Sequence, residues 1–366
     1  MRRAPSPETL DTRALTEPLD RYDVRGFTDR LAAARELPAR WFSPWQVALM
    51  IATAVGSGVF AGALVWFSYL SPAAPPPQLG PAVFALFSAG MCVGASFVAA
   101  RLLRAARPGS AARRLRLSRF AQANGLNYTA LRRFPRYPGM LFQITAESEC
   151  LDVVSYDRPR HVEVGSLRYR IESGRVDVVA RWGYAAFRVR NELPHIVLDA
   201  RKNGSLARAS TPIAFAGAQT LSLEGDFDRH FSLSCPVGYE RDALYLFTPD
   251  IMARVIDNAA SLDIELVDDW VFLYSTSDLS TTDPERWRWI LSVIEALTEK
   301  IDQWERWRDE RLEDSADRRS PLEPLPIGVA PPGRRLRRTL PWPTVVVLIS
   351  LGIAAVLGLR AMFFPS

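Results

Sequence analysis

The sequence predicts an α+β fold: a mainly antiparallel β domain with flanking helices, between a transmembrane helical hairpin and a C-terminal transmembrane helix. Three observations predict it. Residues 41–100 contain no Asp, Glu, Lys or Arg, a stretch too long and uncharged for a soluble domain of ordinary composition. Arginines gather beside the apolar runs. Between residues 161 and 275, apolar and polar residues alternate with the period of a strand.

Residues 1–40 form a polar N-terminal segment of mixed charge, loose over its first 25 residues. "TDRLAAAREL" then suits a short helix whose Leu31, Ala34 and Leu37 would face lipid. The membrane hairpin occupies residues 41–103. Its spans, about 45–70 and 82–103, each have the roughly 20 apolar residues that cross a hydrocarbon core of about 30 Å. "SPAAPPPQLGP" between them cannot remain helical, because proline removes an N–H and clashes with the preceding turn. The third run, "LPWPTVVVLISLGIAAVLGL", lies in the C-terminal segment 340–366.

Orientation follows from charge. Arg101, Arg104, Arg107, Arg113 and Arg114 follow the second span, and Arg334, Arg335, Arg337 and Arg338 precede the third. Positive residues beside spans stay on the cytoplasmic side, where the leaflet is anionic, so these arginines read as a membrane collar. The layout expected is N-terminus and central domain inside, hairpin and C-terminal tip outside. The partner implied is a bilayer with an anionic cytoplasmic leaflet. Gly58, Gly62, Gly90 and Gly94, at four-residue spacing, suit close packing between spans, with other membrane proteins or in self-association.

Residues 104–313 form the cytoplasmic α+β domain. "LSRFAQANGL" ends a helix at Asn124-Gly125. "HVEVGSLRYRI", "VDVVARWGYAAFRVR" and "HIVLDA" read as separate strands, divided by "ESGR" and "NELP". Further strands are expected over 219–223, 231–235 and 243–247. A helix is expected over 248–259. "DIELVDDWVFLYS" reads as a two-strand hairpin turning at Asp268-Asp269. A long helix over 283–313 carries Trp287, Ile290, Leu291, Ile294, Leu297, Ile301 and Trp304 at threes and fours, a face suited to packing on the sheet. A Pro/Arg-rich linker, 314–339, follows.

"LPHIVLDA", "LSLEGDFDRHFSL", "YERDALYLFTPDIMA" and "DIELVDDWVFLYS" together resemble an uncharacterised family of actinobacterial membrane proteins and, more distantly, a broader bacterial domain of unknown function. The resemblance covers roughly residues 120–275 and the hairpin before them. It implies a multi-pass protein of the bacterial inner (plasma) membrane and carries no chemistry.

Charge and motif content narrow the function classes. Residues 147–333 hold 33 acidic and 22 basic residues, a net charge of −11, which argues against a nucleic-acid partner despite the basic whole chain. No phosphate loop, zinc spacing or hydrolase elbow is present, so no cofactor and no catalytic residue is assigned. Glu224, Asp226 and Asp228 in "LEGDFDRH" are the candidate hard-metal ligands, because alternate positions of an extended segment face one way. His230 and Cys235 would point to opposite faces of a strand. Cys150 and Cys235 are expected as free thiols on the reducing side. The function expected is a binding, scaffolding or regulatory module. A membrane-bound hydrolase or ligand-binding enzyme, and a subunit of an oligomeric membrane complex, are the alternatives.

Overall fold

From the N-terminus, helices α1 (Arg13–Thr16), α2 (Arg21–Ala33) and α3 (Ala111–Ala123) lead into strand β1 (Asn127–Arg133). A 3-10 turn at Met140–Gln143 is followed by β2 (Ser148–Tyr156), β3 (Val162–Ser173) and β4 (Val176–Ala200). Then come β5 (Ala214–Phe215), β6 (Thr220–Leu221), α4 (Phe227–His230), β7 (Phe231–Ser234) and α5 (Glu240–Leu246). Strand β8 (Asp263–Ser275), helix α6 (Pro284–Ala316) and β9 (Arg338–Thr339) complete the order. This is a computed structural model. It describes residues 7–38, 111–145, 147–157, 159–173, 176–201, 227–247 and 262–316, the pairs 214–215, 220–221 and 338–339, and single helical positions at 52, 56, 58, 59, 62, 93 and 100.

Among the described residues one antiparallel sheet has seven strands, ordered β1-β2-β3-β4-β7-β6, with β8 on the remaining edge of β4. Strand β4 uses both edges. Residues 176–187 pair with β3 and residues 197–200 with β7, while β8 runs along the opposite edge from 183 to 198. The "NELP" turn expected between two strands is instead an irregularity inside this one strand. Arg188 pairs with Trp270 and Leu193 with Asp268, so β4 carries extra residues there. Pro194 lacks an N–H for the ladder and falls within that irregularity. The buried carboxylate of Glu305 on α6 accepts hydrogen bonds from the backbone N–H groups of Arg190 and Asn191, which satisfies donors that the ladder leaves over.

Strand β8 is likewise continuous where a hairpin was expected. Asp268 takes φ 52°, a left-handed conformation that Asp tolerates better than most residues. One such residue shifts the register without reversing the chain. Residues 243–247, expected as a strand, fall largely in helix α5: Ala243, Leu246 and Phe247 are buried while Leu244 is exposed, a helical spacing read over too short a window. The helix expected over 248–259 lies outside the described residues. Helix α3 stops at Ala123, with Gly125 at φ 67° and the Leu126 N–H reaching the carbonyl of Ala121 at 2.8 Å.

The two sheet faces bury different cores. On one face Phe187, Ile196, Leu198, Ile264 and Leu273 meet Leu15 of α1, Phe120 of α3 and the Trp287-to-Trp304 stripe of α6. Helix α6 therefore packs on the sheet with the apolar face its spacing indicates. On the other face Leu167, Tyr169, Trp182, Tyr184, Phe272 and Tyr274 are covered by Met140, Leu141 and Phe142.

The expected three-span architecture is corrected. Among the described residues no helix is long and apolar enough to cross a membrane. The expected spans at 45–70, 82–103 and 340–359 lie outside the described residues, apart from those single helical positions. The fold class is accordingly an antiparallel sheet with packed helices, and the multi-pass inner-membrane location drops out with the spans. The N-terminal segment shows why the sequence misled. Leu31 of α2 packs with Phe27 on Leu115 and Ala130, not on lipid. Leu10 and Leu15 are buried, and Asn124 both accepts from the N–H of Asp11 and donates to its carbonyl, each at 2.8 Å.

Candidate functional site: two buried carboxylates beneath one loop

The covered face of the sheet holds two glutamates with no solvent exposure, Glu163 and Glu265. Alternation puts both there: Glu163 shares its face with Leu167 and Tyr169, and Glu265 lies among buried neighbours of β8. A buried carboxylate is tolerated only if hydrogen-bonded or paired. Glu163 Oε1 accepts from Tyr184 Oη at 2.8 Å, and Oε2 from Arg132 at 2.7 Å. His161 Nε2 stands 3.4 Å from that second oxygen, while its Nδ1 lies 2.6 Å from Asp157. Tyr137 Oη accepts from Arg132 at 2.5 Å.

Glu265 is held the same way. Its Oε2 accepts from Tyr274 Oη and from the Met140 backbone N–H, both at 2.8 Å, and His195 Nε2 lies 2.9 Å from Oε1. Two glycines permit these approaches. A Cβ at Gly165 would sit 3.0 Å from the Tyr184 ring that crosses it towards Glu163. A Cβ at Gly139 would overlap Tyr274 Oη, so only glycine lets the 134–145 loop press down far enough for Met140 to reach Glu265. Trp270, Phe272 and Tyr274 stack in a column along β8, capped edge-on by Tyr137.

Burial raises the affinity of Glu163 for a proton, but the bonds from His161, Arg132 and Tyr184 outweigh it and hold its pKa below the ordinary value. The bond to Glu163 raises the pKa of His161; partial burial opposes the shift and Asp157 reinforces it. Burial pushes the Cys150 thiol up to about 12, so it is no nucleophile at neutral pH. A pH dependence follows. The raised His161 stabilises the fold fully below its ordinary value of 6.5 and stops doing so as pH rises through its folded value. The lowered Glu163 contributes above its ordinary value of 4.5 and loses that contribution as pH falls through its folded value. Both contributions are therefore complete only between those two ordinary values. We predict that wild type exceeds His161→Gln in stability by about 1 kcal/mol near pH 6, a modest figure because the ring is partly exposed. The difference should shrink as pH rises above 7, read from denaturation midpoints across the pH range. A pH-independent difference would contradict the pairing.

A second ionic cluster lies against helix α3. A bulge in β2 puts Asp152 at φ 52° and turns its buried carboxyl towards Arg113 at 3.5 Å and Arg114 at 4.0 Å, with Tyr128 donating to it at 3.0 Å. Burial outweighs these partners and keeps the Asp152 pKa raised. Asp278 takes Arg113 and Arg181, each at 2.8 Å; burial opposes its ionisation, but these cations outweigh it and lower its pKa. Arg116 donates to the Glu17 carbonyl and Arg119 pairs with Asp23. Arg113 and Arg114, expected at lipid headgroups, thus face carboxylates inside the domain. Arg338 sits in β9, opposite Phe215 of β5. Arg101, Arg104, Arg107, Arg334, Arg335 and Arg337 lie outside the described residues, as do Gly90 and Gly94. Gly58 and Gly62 are described as helical positions, and among the described residues a Cβ at Gly62 would meet nothing within 4 Å.

Of the candidate metal ligands, Glu224 and Asp226 lie outside the described residues, and Asp228 sits half-buried in the four-residue helix α4. Among the described residues no group of three His, Cys, Asp or Glu could hold a metal ion. Cys150 and Cys235 are free thiols and buried. The sequence reading missed Glu163 and Glu265, although "VEVGSLRYR" and "DIELV" carried a signal: acids on the inward-facing parity of a strand with apolar residues on both faces.

What the fold and site define is an antiparallel β domain with an internal ionic core. No protein-family model, curated protein or solved structure matches the chain.

Proposed function

We propose that this chain is a binding module that holds a protein partner, and that its buried ionic cluster serves to shape the domain. The observation that supports this reading is saturation of the acid–base groups. Each oxygen of Glu163 and of Glu265 faces at least one protein donor or imidazole nitrogen. Both nitrogens of His161 face carboxylates. A general base needs a lone pair aimed at a substrate proton, and a nucleophile needs an adjacent base. Here those lone pairs are turned into the fold, and the buried Cys150 is held as a thiol.

The test is proximity labelling and cross-linking from the full chain in living cells, with Glu163→Gln and His195→Gln variants beside wild type. A reproducible protein partner retained by every variant that still folds is the expected result. Hydrolytic activity that disappears in folded Glu163→Gln or His195→Gln would overturn the reading and make the cluster catalytic.

A further inference from the structure

The corner that ends β1 carries a conformation and an exposure that folding alone does not explain. Phe134 takes φ 53°, a left-handed backbone that a bulky side chain adopts rarely and at a cost. The residue is 63% exposed, so burial returns little for that cost. The backbone needs a turn there: the Phe134 N–H donates to the Ser148 carbonyl at 3.0 Å, and Pro135 behind it is buried. Glycine or asparagine would make the same turn with less strain. The choice of phenylalanine therefore points outward, to something the ring meets.

Its neighbours say what kind of surface that is. Arg136 is exposed and, among the described residues, has no ion-pair or hydrogen-bond partner, and the side chain of Arg133 is half exposed, with Glu149 at 3.8 Å. Of the seven arginines in residues 111–145, Arg113, Arg114, Arg119 and Arg132 already face carboxylates and Arg116 a carbonyl, which leaves Arg133 and Arg136 as the cations of this corner, whereas residues 147–333 carry a net charge of −11. A polyanion as long as a nucleic acid would run from this corner onto the acidic remainder and be repelled. A short acidic segment with an apolar residue would meet only the corner. Resting on the binding-module reading, we infer that the Arg133–Phe134–Arg136 corner is the contact surface for an acidic protein segment, whose apolar side chain seats the Phe134 ring and whose carboxylates pair with the two arginines. An aromatic anchor beside arginines is the composition of binding hot spots, and bidentate guanidinium–carboxylate pairing supplies orientation.

The test places a photo-crosslinking p-benzoylphenylalanine at position 134 of the full chain in living cells, with the same substitution at Tyr22, another exposed aromatic, as control. The expected result is a protein adduct at 134 and none at 22, mapped to a peptide rich in Asp and Glu. Adding Arg133→Glu and Arg136→Glu should cut the yield at least tenfold. Phe134→Gly, which suits the backbone, should fold at least as well as wild type yet lose partner binding measured by an independent tag. An adduct with nucleic acid or lipid, an adduct with no acidic bias, or a yield indifferent to the arginine changes would overturn the inference. So would absence of any adduct at 134. If cross-links from other positions still captured a partner, the binding-module reading would stand and this surface alone would fall.

Discussion

Replacing Glu265 with leucine should destabilise the protein by about 3–5 kcal/mol, the cost usually met when one partner of a buried ionic cluster is removed. The carboxylate has no exposure and is the shared acceptor of the Tyr274 hydroxyl and the Met140 amide, with the His195 imidazole against its other oxygen. Leucine takes that acceptor from all three while keeping them out of water. Domains are typically stable by about 5–15 kcal/mol, so a loss of this size is a large fraction of the whole. The denaturant midpoint should fall with little change in slope, because the surface exposed on unfolding is nearly the same. Glu265→Gln keeps one acceptor and should lose less. Combining Glu265→Leu with His195→Leu and Tyr274→Phe should recover part of the loss, because the partners are then apolar as well. A leucine variant within about 1 kcal/mol of wild type would show that the carboxylate does not organise the loop.

The second large effect lies on the opposite face. Trp287 is 1% exposed, its ring centroid is 4.8 Å from that of Phe120, and its indole N–H donates to the Thr281 carbonyl at 2.7 Å. It anchors the start of α6 against α3, below the Asp283 side chain that accepts from the Glu285 N–H. Trp287→Ala should cost about 3–5 kcal/mol, the range for removing a buried aromatic. Hydrogen exchange should accelerate in both α3 and α6, because each helix loses the other's support. Phe120→Ala and the double variant complete a cycle whose coupling should be about 0.5–1.5 kcal/mol for the ring pair. Additive losses would separate the two helices energetically and contradict the packing described.

Both predictions concern positions whose legibility in the sequence differed. The α6 stripe was readable residue by residue, because a helical period repeated over five turns leaves little choice of face. The end of α3 was readable from Asn124-Gly125, because glycine takes the left-handed turn cheaply. The strand boundaries were not. Pro194 and Asp268 both signal turns locally, yet each became an irregularity within a longer strand once partners on both edges were available. Helix α5 was hidden because a span of seven residues fits a period of two almost as well as one of 3.6.

Arg113 and Arg114 mark the limit most clearly. In sequence they stand in an acid-free basic run beside an apolar one, and such a run reads as a membrane collar. In the fold they meet Asp152, 39 and 38 positions away, and Arg113 also meets Asp278. A guanidinium is charged in every setting, so the residue itself does not record which anion it faces.

By itself, the sequence determined strand β3 and the first part of β4, the buried stripe of α6, and the acidic character of residues 147–333, because period and composition are local quantities. Tertiary structure alone decided which charges are internal, which turn signals actually turn, and that Glu163 and Glu265 lie under one loop. Those outcomes depend on residues far apart in the chain arriving at the same few ångströms, where loss of water makes each unmet charge costly and so selects its partner.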